Sequence, residues 1–351
     1  MDFKRLLVAL SLSFIFIWAW QKIFIPPIQS NDTKQVDVNS MVEVPKKEIS
    51  IVQDIYDNMP QIDLNDTVII KTDLMSLVLT LGGTSIRDLR ILETVDSTSE
   101  EFKHQGAWNY QTGRYENYMP VELMNLQRCN PCLVEDKKYI YFDKTNIIER
   151  NNRKIKSVKN GVIKTTLIND TSYVIEHIFT GLDPTKNYSL IWADGLNPTE
   201  KNIKDDLAML TIFSEEKTSY DEETINEANK LFTYNNIGWA GLKTKYFMKA
   251  ITNENYKEKK IDTVEFISKT HNNDWNQDFI YSTMQLKYGK GNDSIHTYSY
   301  IGPIDTKHLQ NHNTSHLVQL FGFGWFLLVF VGFCWFWLVL VGFGWFWLVL
   351  V

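Results

Sequence analysis

The chain is strongly apolar at both ends and polar between them, and this distribution restricts its architecture more than any single motif does. Lys4 and Arg5 precede an apolar run from Leu6 to Trp20, which resumes at Ile23–Ile25 before Pro26-Pro27. Leu6 to Ile25 has about the 20 residues that a helix needs to cross a ~30 Å hydrocarbon core. Trp18 and Trp20 fall where an interfacial aromatic belt lies, and Lys22 has the length to snorkel to the headgroups. No small-x-small cleavage site follows, so residues 1–25 are expected to be an uncleaved signal anchor rather than a signal peptide. The Lys4-Arg5 flank then places Met1 in the cytoplasm and the middle of the chain outside it. Residues 26–48 are polar, carry Pro26, Pro27 and Pro45, and lack any period, as a flexible linker does.

Composition excludes several classes. Lys and Arg number 36 against 42 Asp and Glu, so no basic excess supports a nucleic-acid partner. Three cysteines do not make a disulfide scaffold. From about Ile49 the pattern is strand-like: Val68–Ile70, Leu77–Leu79, Tyr139–Phe142, Tyr173–Ile175 and Ser189–Trp192 are short apolar or β-branched runs. Polar turns separate the strand-like runs of this region, among them Gly82-Gly83, Asn151-Asn152, Lys159-Asn160-Gly161, Gly181–Pro184 and Gly289–Asn292. Short strands between such turns predict an antiparallel sandwich over 49–305. Helical periodicity is scarce and best at Asp221–Leu231 and Asp305–Gln319, and nothing alternates strand with helix, so a parallel dinucleotide-binding sheet is not expected.

Several local signatures occur in an order that resembles the bacterial YidC membrane insertases. They begin with Lys4-Arg5-Leu6-Leu7 and the Trp-containing end of the first helix, and continue with Thr72-Asp73, Gly82-Gly83, Ile86 and Leu89. Trp192–Thr199 (WADGLNPT) follows, then Gly238–Phe247 (GWAGLKTKYF), the most specific stretch. Tyr300-Ile301-Gly302-Pro303 with Asp305 and Leu309, and then Phe323-Gly324-Trp325, complete the series. The resemblance implies a mainly β protein: a periplasmic β-super-sandwich related to mutarotase-like domains, behind an N-terminal transmembrane helix. It also implies an inner-membrane location, with nascent membrane proteins, the Sec translocon with its accessory proteins and the lipid bilayer as partners. No enzymatic activity and no cofactor are implied. The alternative reading is a membrane-anchored β-sandwich that binds a peptide or glycan without insertase activity.

Beyond an interfacial helix expected at 306–319, residues 320–351 form an apolar tail that resembles the start of the second transmembrane region. Gly322–Val351 is three ten-residue units: GFGWFLLVFV, GFCWFWLVLV and GFGWFWLVLV. At about 100° per residue a period of ten does not stack equivalent Trp residues into a helical stripe, so helix packing does not explain the repeat. No Arg follows Arg153, so the arginine of the family's intramembrane groove has no counterpart, and the chain as written is expected not to insert substrates alone.

Four constellations remain. Cys129-Asn130-Pro131-Cys132 has C-x-x-C spacing but sits among strands rather than at the start of a helix, which favours an incidental pair or a small disulfide over redox catalysis. His308, His312 and His316 share one face if the segment is helical, but few groups stand behind them to support a metal. Trp108, Tyr110, Tyr115 and Tyr118 cluster in a polar stretch, where packing over the sheet is the default role of aromatics. Glu176-His177 is the only hint of an epimerase pair, and adjacent strand residues face opposite ways. Asn-x-Ser/Thr sequons at Asn31, Asn65, Asn169, Asn187, Asn292 and Asn313 follow from Asn-rich composition. No catalytic, cofactor-binding or metal-ligating residue is assigned.

Overall fold

The computed structural model describes residues 67–309 and Leu317, with short interruptions that include 81–84, 110–113, 125–128, 200–205, 255–260 and 273–277. The signal-anchor, linker and repeat-tail expectations, and the Gly82-Gly83 turn, lie outside the described residues. Among the described residues no helix is long and apolar enough to cross a membrane.

The protein is mainly β. The first strands are β1 (Val68–Lys71), β2 (Met75–Thr80), β3 (Ser85–Val95), β4 (Thr98–Glu101), β5 (Lys103–His104), β6 (Ala107–Asn109), β7 (Arg114–Glu116), β8 (Met119–Pro120) and β9 (Glu122–Met124). Next come β10 (Cys132–Glu135), β11 (Lys138–Ile140), β12 (Ile147–Arg150), β13 (Lys154–Lys159), β14 (Val162–Ile168), β15 (Val174–Thr180) and β16 (Tyr188–Trp192). The last are β17 (Thr211–Glu216), β18 (Ser219–Thr224), β19 (Leu231–Lys243), β20 (Phe247–Asn253), β21 (Ile261–Asn272), β22 (Asp278–Tyr288) and β23 (Ser294–Pro303), followed by α1 (Thr306–Leu309).

Strands β1-β2-β3-β4, with β9 on β3, form a small sheet. The large sheet has 14 strands and runs β11-β10-β16-β22-β21-β19-β20-β23-β15-β14-β13-β12, with β17 joining β19 and β18 joining β17. Its pairings are antiparallel, as the short polar turns predict. Asn160 and Gly161 both take positive φ (52° and 84°), the two-residue primed turn that matches strand twist. That turn fixes β13 against β14 with Lys159 opposite Val162. Asp136 and Lys137 do the same between β10 and β11.

The two halves of the large sheet face each other across the core. Tyr288 Oη, on β22, donates to Asn253 Oδ1, on β20, at 3.2 Å. Trp192, on β16, meets His177, on β15, edge to face at 5.5 Å between ring centroids. Trp192, Trp239, Tyr300, Phe179, Phe213 and Phe266 are all buried in this core. Burying a large apolar side chain stabilises by roughly 1.5–3 kcal/mol, so these residues carry much of the cohesion.

One helix expectation is corrected. Asp221–Leu231 is not helical: its first part belongs to β18, with Asp221 opposite Ser214 of β17. Ile225 N then donates to Leu210 O at 2.8 Å, and Asn229 takes φ 61°. Ladder bonds and the burial of Ile225 outweigh the weak helix propensity of the Glu-rich stretch. Of Asp305–Gln319 the described part includes α1, four residues started by Asp305, whose Oδ1 accepts from Lys307 N at 2.9 Å; residues 310–316 and 318–319 of that expected helix lie outside the described residues.

Candidate functional site

Three of the stretches that carry the family resemblance, 192–199, 238–247 and 300–305, meet in space. Trp192–Thr199 is the junction between the two sheets. Asn197 N donates to Leu123 O at 3.0 Å, on β9 of the small sheet. Asn130 and Asp194 are bonded twice: Asn130 Nδ2 donates to Asp194 Oδ2, and Asp194 N to Asn130 Oδ1, both at 3.0 Å. Asn130 N donates to Ser85 Oγ at 2.7 Å, which ties in β3. The buried Asp206 carboxylate accepts from Thr199 N at 2.7 Å and from Lys245 N at 3.3 Å, joining this junction to the β19–β20 turn. That turn is bonded in turn to the end of β23, where Ile304 N donates to Tyr246 O at 2.7 Å.

Gly241 has a local steric reason. A Cβ there would stand 2.6 Å from Phe213 Cζ and 2.8 Å from Ala250 Cα, so only glycine lets β17, β19 and β20 pack. Gly302 is similar, its space being taken by the Tyr173 ring.

Behind the junction lies a buried polar cluster that the sequence reading missed. Along β14, Val162, Lys164, Thr166 and Ile168 point inward and Ile163, Thr165 and Leu167 outward. Lys164 Nζ donates to Pro131 O at 3.0 Å and lies 5.2 Å above the Phe179 ring centroid. Burial pushes its ammonium down to about 7. Lys249 Nζ donates to Asp194 O and stands 5.6 Å over the Trp192 ring. Burial lowers the pKa of Lys249 as well, partly offset by the Asp194 carboxylate. His177 is held well below its ordinary value by burial, with nearby Lys164 adding to the effect. Lys164, Lys249 and His177 lie on three strands that only the folded sheet aligns, and no local spacing marks them.

The other expected residues fall as follows. Cys129 and Cys132 form a disulfide beside this cluster, both buried. His177 and Glu176 face opposite sides of the sheet. On the outer side Glu176 Oε1 is 2.5 Å from His296 Nε2, whose Nδ1 is 3.0 Å from Glu254 Oε2. The two carboxylates thus grip opposite edges of one imidazole and cannot converge on one ion. Among the described residues no group of three His, Cys, Asp or Glu is placed to hold a metal. His308 packs edge-on against Tyr173 at 5.0 Å, while His312 and His316 lie outside the described residues. Trp108 and Tyr115 are cross-strand partners in the β6–β7 ribbon, and Tyr110 and Tyr118 lie outside the described residues.

The fold and this junction define an antiparallel β domain of the sandwich class with a polar cluster buried inside it. Residues 187–338 match the family model of the YidC periplasmic domain. Over that stretch, which holds β16 to β23, the chain is similar to the YidC periplasmic domain. No curated protein matches it.

Proposed function

We propose that this protein assists the insertion and folding of inner-membrane proteins, holding its β-super-sandwich in the periplasm beside the membrane. Nascent membrane proteins are its clients, the Sec translocon and its accessory proteins its neighbours, and the bilayer the site of its anchor. The observation that carries the reading is the family match over 187–338, which takes in β16 to β23 and the interlocked stretches 192–199, 238–247 and 300–305. The domain has no catalytic step in this reading. It binds and positions.

Photo-crosslinking in cells tests the proposal. Tyr246 is 45% exposed at the β19–β20 turn and accepts a photoreactive residue without disturbing the core. Crosslinks to an inner-membrane protein during its synthesis, in excess of those to a secreted protein made at the same rate, are expected. Equal yields with both would remove the insertase reading and leave a general polypeptide- or glycan-binding domain.

A further inference from the structure

Four polar side chains form a row across the inner face of the large sheet, one on each of four adjacent strands. Thr166 on β14 is opposite His177 on β15, His177 is opposite Thr297 on β23, and Thr297 is opposite Asn253 on β20. None is more than 3% exposed. Each has a buried polar atom with no hydrogen-bond partner among the described residues: Thr166 Oγ1, His177 Nδ1, Thr297 Oγ1 and Asn253 Nδ2. From the facing side of the core Trp192 Nε1 is in the same condition.

The unmet chemistry can be read atom by atom. Ser299 Oγ donates its single proton to Ile175 O at 3.0 Å, so at its 3.2 Å contact with His177 it accepts from Nε2. The neutral ring therefore presents Nδ1 as a bare acceptor. Asn253 Oδ1 is occupied by Tyr288 Oη, which leaves the amide hydrogens to give. Trp192 Nε1 only donates, and the two threonine hydroxyls do both. The row thus needs a partner that donates at His177 and accepts at Trp192 and Asn253. Hydroxyl groups do both, whereas a simple anion leaves Nδ1 unmet and a cation leaves the donors unmet. Adjacent strand partners stand about 5 Å apart, a spacing that successive hydroxyls can follow.

We propose that this row is a binding slot for hydroxyl groups, filled between the two halves of the large sheet by a file of water or by a small polyol. Leaving such atoms unpaired carries a desolvation cost, which gives the occupied slot its stability advantage over a dry one.

Thermal unfolding of the full chain in detergent, as Thr297→Val and Thr166→Val variants, tests this. Valine keeps the shape and deletes one hydroxyl. In an occupied slot the deletion removes a partner, and the midpoint should fall by about 2–4 °C for each variant. In a dry row it removes a buried unpaired group, and a higher midpoint in both variants would overturn the proposal. Added myo-inositol separates the two sources. A stabilisation larger in the native chain than in Thr297→Val identifies a polyol, and equal stabilisation in both identifies water.

Discussion

Replacing Asp88 by asparagine should flatten the pH dependence of stability in the weakly acid range. Asp88 sits on β3 with its side chain 7% exposed, beside Arg90, whose guanidinium also holds Glu122 at 2.8 Å and Glu101 at 3.0 Å. One cation is shared by three carboxylates, and Asp88 is the one that loses. Burial first, and then the charge of Glu122, push its carboxyl up to about 7, against the weaker opposing pull of Arg90. Since its pKa is higher in the fold than in the unfolded chain, the fold binds a proton that the unfolded chain has released. The stability this confers is complete below about pH 4 and is lost as pH rises toward 7. At about 1.4 kcal/mol per unit, the whole rise corresponds to a ceiling of about 4 kcal/mol. Proton sharing with Glu122 spreads the loss over a wider range. Asparagine keeps the shape and a donor toward Glu122 but cannot ionise. Urea denaturation of wild type and Asp88→Asn at half-unit steps from pH 4 to 8 is the assay. The wild type should lose several kcal/mol that the variant retains. Parallel curves for the two proteins would show that Asp88 is ionised throughout and that its burial carries no such cost.

Further outcomes follow from other sites. Lys164, pushed down to about 7 by burial, binds its proton less tightly in the fold than when unfolded. Stability should therefore rise between pH 7 and the normal lysine range, and Lys164→Met should remove that slope in the same denaturation series. Gly241→Ala forces a methyl against Phe213 and the β20 backbone, and should cost about 1–3 kcal/mol or more by calorimetry; an unchanged midpoint would mean that β19 and β20 separate freely. A reporter enzyme fused after Lys47 should be active only outside the cytoplasm, as the Lys4-Arg5 flank requires, and cytoplasmic activity would reverse the topology.

Turn chemistry made much of the fold legible. Asn160-Gly161 supplies the two positive-φ positions of a primed hairpin, so a turn residue pair alone fixes where β13 ends and β14 begins. The helix expected over Asp221–Leu231 failed for the opposite reason. A run rich in Glu and Asn has no strong local preference, and its structure was decided by β17, a partner that sequence spacing does not reveal.

The polar core was hidden by its own alternation. Val162–Ile168 reads V-I-K-T-T-L-I, and hydrophobicity alone turns Ile163 and Leu167 inward with Lys164 in water. The structure has the reverse order, with Lys164 buried and its neighbours half-exposed. A one-residue slip would exchange the two faces, and the Asn160-Gly161 turn does not permit it. Register therefore overrode polarity here, and the cost of burying an ammonium is offset by the Pro131 carbonyl, the Phe179 ring and a weakened proton affinity. The same register brings Thr166 beside His177 and, through β23, beside Thr297 and Asn253. Asn253 lies nearly ninety residues along the chain from Thr166, and no pattern along the chain connects them. Only a sheet whose order runs β20-β23-β15-β14 makes them neighbours, so the chemistry of this row belongs to the topology rather than to any local motif.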